Sequence, residues 1–182
     1  MAKVLVPLAA GSEEMETVII VDTLRRAGWE VVLASVGSPN RTVKCSRGVV
    51  LLADADWKNV AVDSFDALVL PGGSNGTKIL SENASVVNAV RRFHSAGKPI
   101  AAVCAGPLVL QEAGILNERS ATCHPAVRSQ LTCSHVSDER VVVDGNIVTS
   151  QGPGTSFEFA LAVIKLLDGK DAADAVANAL IL

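Results

Sequence analysis

The chain has 182 residues, a net charge of −3, and 49% apolar against 19% charged residues. Those proportions describe a globular chain long enough for a substantial core and exclude a disordered one. With no Tyr, 3% aromatics and both signs of charge spread along the chain, nothing predicts a nucleic-acid surface.

Val4–Ala10 is an apolar run too short to span a membrane. Lys3 ahead of it and Ala9-Ala10-Gly11 behind it give a faint likeness to a signal-peptide core. Glu13 and Glu14 follow at once, however, so Lys3–Ala9 reads as a first strand. No other targeting signal stands in the chain, and the expectation is a cytoplasmic protein with no membrane segment. Ser12 is placed to cap a helix over Glu13–Ala27, with acids in the first turn and Gly28 as its stop. Trp29–Val36 is a second strand. Val43–Leu52 reads as two short strands, a small excursion from the main sheet.

Ala67-Leu68-Val69-Leu70 is a continuous apolar run, hence a central strand, ended by Pro71-Gly72-Gly73. Helices follow between Gly76 and Ala96. Ile100–Val103 is another buried strand, and Ser120–His124 a further one. Arg140–Asp144 and Asn146–Ser150 flank an Asp144-Gly145 pair, a type I′ hairpin signal. Phe157–Leu167 is apolar almost all round and so predicts a buried helix. Asp171–Leu182 is a last, alanine-rich helix. Strands that alternate with helices predict a single α/β domain over 1–182 with a mostly parallel sheet covered on both faces. In such sheets ligands bind at the carboxyl ends of the strands.

Cys104 follows the Ile100–Val103 strand directly and precedes Pro107, a residue suited to the first turn of a helix. The turn resembles a nucleophile elbow, in which the residues two before and two after the nucleophile must be small; here they are Ala102 and Gly106. Free N–H groups at a helix start favour a thiolate. Read from this stretch alone, a buried structural cysteine fits equally well. The four cysteines, Cys45, Cys104, Cys123 and Cys133, form no Cys-x-x-Cys pair and read as free thiols in a reducing compartment. The spacing of Cys123-His124 and Cys133-Ser134-His135 fits no zinc pattern, so no metal is expected.

Glu16 has Ile19 and Ile20 at the next helical turn and no basic residue close by. A carboxyl buried there has its pKa raised and can keep its proton, although a solvated helix acid fits the same sequence. Gly72 and Gly73 can aim N–H groups at an oxyanion together with Ala105, or simply form a turn. His124, before Pro125, is placed to relay protons; His94 reads as solvent-facing.

Seven stretches, taken in order, carry a resemblance over essentially the whole chain. They are Gly11–Val18, Asp22–Gly28, Cys45-Ser46-Arg47, Val69–Gly73, Ala101–Pro107, His124-Pro125 and Ser150–Leu161. Together they resemble the ThiJ/PfpI superfamily, and within it the DJ-one branch. The resemblance implies a flavodoxin-like three-layer sandwich of the class I glutamine-amidotransferase type and a homodimer. It implies that Cys104 is the reactive cysteine, Glu16 its protonated carboxyl partner and His124 a pocket residue. Gly73 and Ala105 would supply oxyanion N–H groups, and Arg47 and Arg26 would help to build the dimer near the pocket. The protease-like branch has His directly after the cysteine; Ala105 stands there, against a peptidase. Leu51-Leu52 occupies the region where relatives often carry a second oxidisable cysteine. The function implied is a cofactor-free glyoxalase or deglycase acting on methylglyoxal, glyoxal or early glycated amines. The alternative is a redox sensor or redox-gated chaperone using the same sulfur.

Overall fold

The computed structural model describes all residues from Met1 to Leu182. Its strands are β1 (Lys3–Ala9), β2 (Glu30–Val36), β3 (Thr42–Lys44), β4 (Val50–Leu52), β5 (Ala55–Asp56), β6 (Ala67–Leu70), β7 (Ile100–Val103), β8 (Ser120–Ala121), β9 (His135–Val136), β10 (Val141–Asp144) and β11 (Ile147–Ser150). Its helices are α1 (Glu14–Arg26), α2 (Ser74–Glu82), α3 (Ala84–Ser95), α4 (Pro107–Glu112), α5 (Ser156–Asp168) and α6 (Lys170–Leu180). Seven strands form one sheet in the order β10-β11-β7-β6-β1-β2-β5, parallel except for β10 at one edge. Its inner strands β2, β1, β6, β7 and β11 run in the flavodoxin-like order.

Every residue of β6, β7 and β11 is buried, as strands covered on both faces require. Alternate residues feed two separate cores. Leu5, Leu68, Leu70, Ile100 and Ala102 join Phe93, Leu80 and Leu110 under α2, α3 and α4. Val4, Val6, Val69, Ala101 and Val103 join Ile20, Leu24 and Phe159 under α1, α5 and α6. The result is the three-layer α/β sandwich that the alternation of strands and helices predicts. No helix is long and apolar enough to cross a membrane.

The local differences have physical causes. Glu13, not Ser12, caps α1: its carboxylate accepts from the Glu16 N–H at 2.7 Å. Ser12 is fully buried, and its Oγ instead accepts from the Ala9 N–H at 3.2 Å, closing the turn out of β1. The expected strand over Ser120–His124 keeps only Ser120 and Ala121, which pair with β9 outside the main sheet. Asp144 pairs with Ile147, so the hairpin turns on Gly145-Asn146; only Gly145 has positive φ, which excludes type I′. Helix α5 is buried along one face only, with Phe157 and Leu161 on the other side at least partly open. His94 is half-buried rather than solvated, and its Nδ1 lies buried without a partner. The sequence gives no sign of β5, whose two residues extend the sheet beyond β2.

Candidate active site

The carboxyl ends of β1, β6 and β7 meet at Cys104. That residue has φ +63°, one of three non-glycine residues with positive φ. A cysteine in this region is strained and must be held there by its neighbours. Its N–H donates to Ser150 O at 2.9 Å, and its carbonyl accepts from the His124 N–H at 2.9 Å. The elbow is thereby pinned between β11 and the loop after β8. At Gly106 an added Cβ would stand 2.9 Å from Val103 O and 3.1 Å from Leu70 O, so the turn admits no side chain there. Ala102 is fully buried, and Pro107 opens α4.

Helix α4 is only six residues long, so the donors at the sulfur are particular N–H groups rather than the end of a long dipole. They belong to Gly73 and Ala105, whose N–H groups meet no backbone carbonyl and act on the Cys104 sulfur to favour its ionised form. Gly72 departs from expectation. Its N–H donates to Glu16 Oε2 at 2.7 Å and is not free for a substrate. What the site needs from Gly72 is its missing side chain. A Cβ there would be 2.6 Å from the Cys104 Cβ and 2.9 Å from both Glu16 Oε2 and Ala105 N.

Glu16 is fully buried behind the cysteine. Burial raises its pKa to about 7 against the opposing pull of the Gly72 N–H and the Cys104 side chain. Its other oxygen, Oε1, has no hydrogen-bond partner. An unpartnered carboxylate oxygen in the interior is costly, and protonation of the carboxyl lessens that cost by removing the charge. Burial and then the Glu16 charge push the Cys104 thiol up to about 12. This runs against the expectation of a thiolate favoured by the free N–H groups of a helix start beside a protonated Glu16. Both groups are driven toward their neutral forms, so the sulfur carries charge only where Glu16 holds the proton.

His124 is half-buried and follows Cys123, which points into the core and is 1% exposed, so the two neighbours diverge. His124 Nδ1 accepts from the Ala126 N–H at 3.1 Å, which leaves Nε2 to carry the proton of the neutral ring. Cys104, Ala105, Gly73, His124 and Arg47 line one cavity of about 650 Å³. Glu16 lies behind its wall, and Arg26 lies away from it, paired with Asp22 at 2.6 Å.

The sequence reading missed Glu14, Ser46 and Asn75. Glu14 is 5% exposed and binds the Cys45–Val49 turn, and Asn75, on the cavity lining, donates from Nδ2 to Ala10 O at 2.8 Å. Two acids at a helix start look like dipole partners; only the fold shows that one caps the helix and the other reaches a loop more than thirty residues away.

The DJ-1/PfpI family model matches residues 2–166. The chain belongs to the DJ-1/PfpI family. It is 44% identical over 180 residues to protein dj-1beta of Drosophila melanogaster, covering 98% of this chain and 96% of that one. It is 36% identical over 173 residues to a Caenorhabditis elegans protein named glutathione-independent glyoxalase DJR-1.2, covering 94% and 91%. Among solved structures, oxidised Toxoplasma gondii DJ-1 superposes with a TM-score of 0.95 at 41% identity, covering 100% of this chain and 98% of that one. In this DJ-1/PfpI chain the elbow, the buried acid and the imidazole therefore sit on a fold shared along its whole length.

Proposed function

We propose that this protein is a cofactor-free, glutathione-independent glyoxalase, with Cys104 as nucleophile and methylglyoxal or glyoxal as substrate. The observation that carries the reading is the pairing of Cys104 with a fully buried Glu16 whose pKa is raised to about 7. Such a carboxyl both gives and takes a proton near neutrality. The Glu16 carboxylate takes the thiol proton as the sulfur adds to the aldehyde carbon, and passes it to the carbonyl oxygen, which gives a hemithioacetal. The Glu16 carboxylate then removes the hydrogen on that carbon and returns it to the neighbouring carbon, while the hydroxyl proton passes to the neighbouring carbonyl oxygen, so that an α-hydroxy thioester results. Oxidation of one carbon thus balances reduction of the next. Water cleaves the resulting thioester to lactate or glycolate and frees the thiol. The Gly73 and Ala105 N–H groups steady the oxyanion, and His124 Nε2 exchanges protons at the open side.

Early glycated amines present the same carbonyl chemistry and extend the reading to deglycation. Four free thiols suit a reducing, cytoplasmic setting. A redox-sensor or redox-gated chaperone role for Cys104 is the second reading. It is favoured by the relative solved in oxidised form, and by an acid and two N–H donors that would hold a sulfinate. The two part on turnover. Purified protein given methylglyoxal without glutathione should release lactate, and Cys104→Ser should lower that rate about 10³-fold or more. Equal rates in the two proteins would remove the glyoxalase reading.

A further inference from the structure

The Cys45–Val49 turn joins β3 to β4 and forms one side of the cavity. Within it, Cys45 N–H donates to Val49 O at 2.8 Å and Gly48 N–H to Cys45 O at 3.1 Å. The N–H groups of Arg47 and Val49 find no backbone carbonyl. Glu14, from the first turn of α1, supplies the missing acceptor. Its Oε1 accepts from the Arg47 N–H at 2.8 Å and from the Val49 N–H at 3.3 Å; its Oε2 accepts from Ser46 Oγ at 2.9 Å and the Arg47 N–H at 3.1 Å. The Ser46 N–H donates to Ser12 O at 2.9 Å, so the turn is hooked twice onto the segment that carries Glu16. Burial raises the Glu14 pKa, but hydrogen bonds from its own N–H and from the turn outweigh it and hold the carboxyl below its ordinary value.

The outcome concerns the residue in the middle of the turn. Arg47 lines the Cys104 cavity, its guanidinium makes no ion pair with any carboxylate, and it is the one Arg or Lys on the lining. Flexible surface arginines are poor at recognition because ordering them costs entropy. Here the backbone beneath the side chain is fixed by the buried Glu14 carboxylate. We propose that Glu14 is a positioning residue whose work is to hold Arg47 at the Cys104 cavity, where Arg47 recognises the carboxylate of the product. This rests on Cys104 being the nucleophile of the proposed reaction, but it does not require turnover.

Two alkylating agents test it. Iodoacetate carries a carboxylate, and iodoacetamide is its neutral counterpart of similar size. The rate of each at Cys104 is followed by peptide mass in the full chain. Arg47→Ala should lower the iodoacetate-to-iodoacetamide rate ratio about five- to tenfold, the size of one partly screened charge. Glu14→Gln should lower it to a similar degree, and the double variant should fall no further than Arg47→Ala alone. General loosening of the site changes both rates together and leaves the ratio where it was. An unchanged ratio in Glu14→Gln, or losses that add in the double variant, overturns the proposal. Should Glu14→Gln not fold, Ser46→Ala removes one bond to the same carboxylate; the ratio must then fall in the same direction, and an unchanged ratio is equally fatal. A protein that passes this test yet makes no lactate keeps the Arg47 assignment and loses only the glyoxalase reading.

Discussion

Glu16 and Cys104 hold one another's charge in check, and this coupling governs the chemistry at the residue scale. A carboxyl raised from 4.5 to about 7 by burial binds its proton more tightly in the folded chain than in the unfolded one. Between those two values the folded state therefore holds more protons, and stability falls as pH rises. The loss begins near the unfolded value and is complete just above the folded one. Its size is on the order of 3 kcal/mol at one pKa unit per 1.36 kcal/mol. Glu16→Gln cannot ionise, so its stability should lack this fall through the same window. Urea unfolding at several pH values from 4.5 to 8 checks this, with the difference between the two proteins as the quantity read. Groups whose pKa is lowered, such as Glu14 and Glu158, cancel in that difference because both proteins contain them. The difference staying constant across the window would show that Glu16 ionises as freely in the folded chain as in water. Ile19 and Ile20 beside Glu16 and the lack of a basic neighbour left a buried carboxyl and a solvated helix acid both open, and the fold decides for burial. That its partner on one oxygen is the Gly72 N–H was not, since that contact spans 56 residues.

At the scale of the element, the elbow is a strand end and a helix start forced together by small residues. Ala102, Cys104, Gly106 and Pro107 announce it in sequence because local sterics leave few alternatives. Helix caps were less legible. Ser at a helix start is a stronger signal than Glu, yet Ser12 is drawn inward to the Ala9 N–H and leaves the cap to Glu13. The hairpin was legible as a hairpin, but its register places the turn one residue later than the Asp-Gly pair suggests. The elbow admits a direct test through two glycines of unlike role. Gly106 has backbone carbonyls crowding the place where a Cβ would stand, whereas Gly114, at φ +78°, has open space there and is constrained by its backbone angle alone. Gly106→Ala should cost about 1–3 kcal/mol by overpacking and remove most Cys104 alkylation. Gly114→Ala should cost roughly 1 kcal/mol by strain and leave alkylation near the wild-type rate. Thermal unfolding with iodoacetamide labelling reads both, and equal labelling loss in the two variants would deny the elbow any special geometry.

At the scale of the whole molecule, the sheet order brings β1, β6 and β7 side by side and so gathers Glu16, Gly73 and Cys104 from distant parts of the chain. The same order leaves the exposed side of α1 beside the β3–β4 hairpin. Between them lies a groove of about 230 Å³ in which Val18, Val21, Leu33, Leu51 and Leu52 form the apolar part and Thr17, Asp22 and Arg25 the polar part. Val18 is 49% exposed and Leu52 67%, and Met15 and Val50 are each 56% exposed on the same two elements. Scattered exposed apolar residues are ordinary, but a continuous group of them around a groove marks a surface that another protein covers. We propose that a second copy of the chain covers it, as the resemblance to the DJ-one branch implies. The elements concerned are those that carry Glu14, Glu16 and Arg47, so dimer formation and the site would share supports. Leu52→Glu or Val18→Glu places a charge in that surface and should convert a dimer to a monomer, read as a halved mass by light scattering on a sizing column. Because both side chains already face solvent in the single chain, neither change should unfold it, and circular dichroism at the same concentration verifies that. Mass that stays at twice the chain's 18.9 kDa in both variants would move the dimer to another face, and wild-type mass at 18.9 kDa would dispose of the dimer.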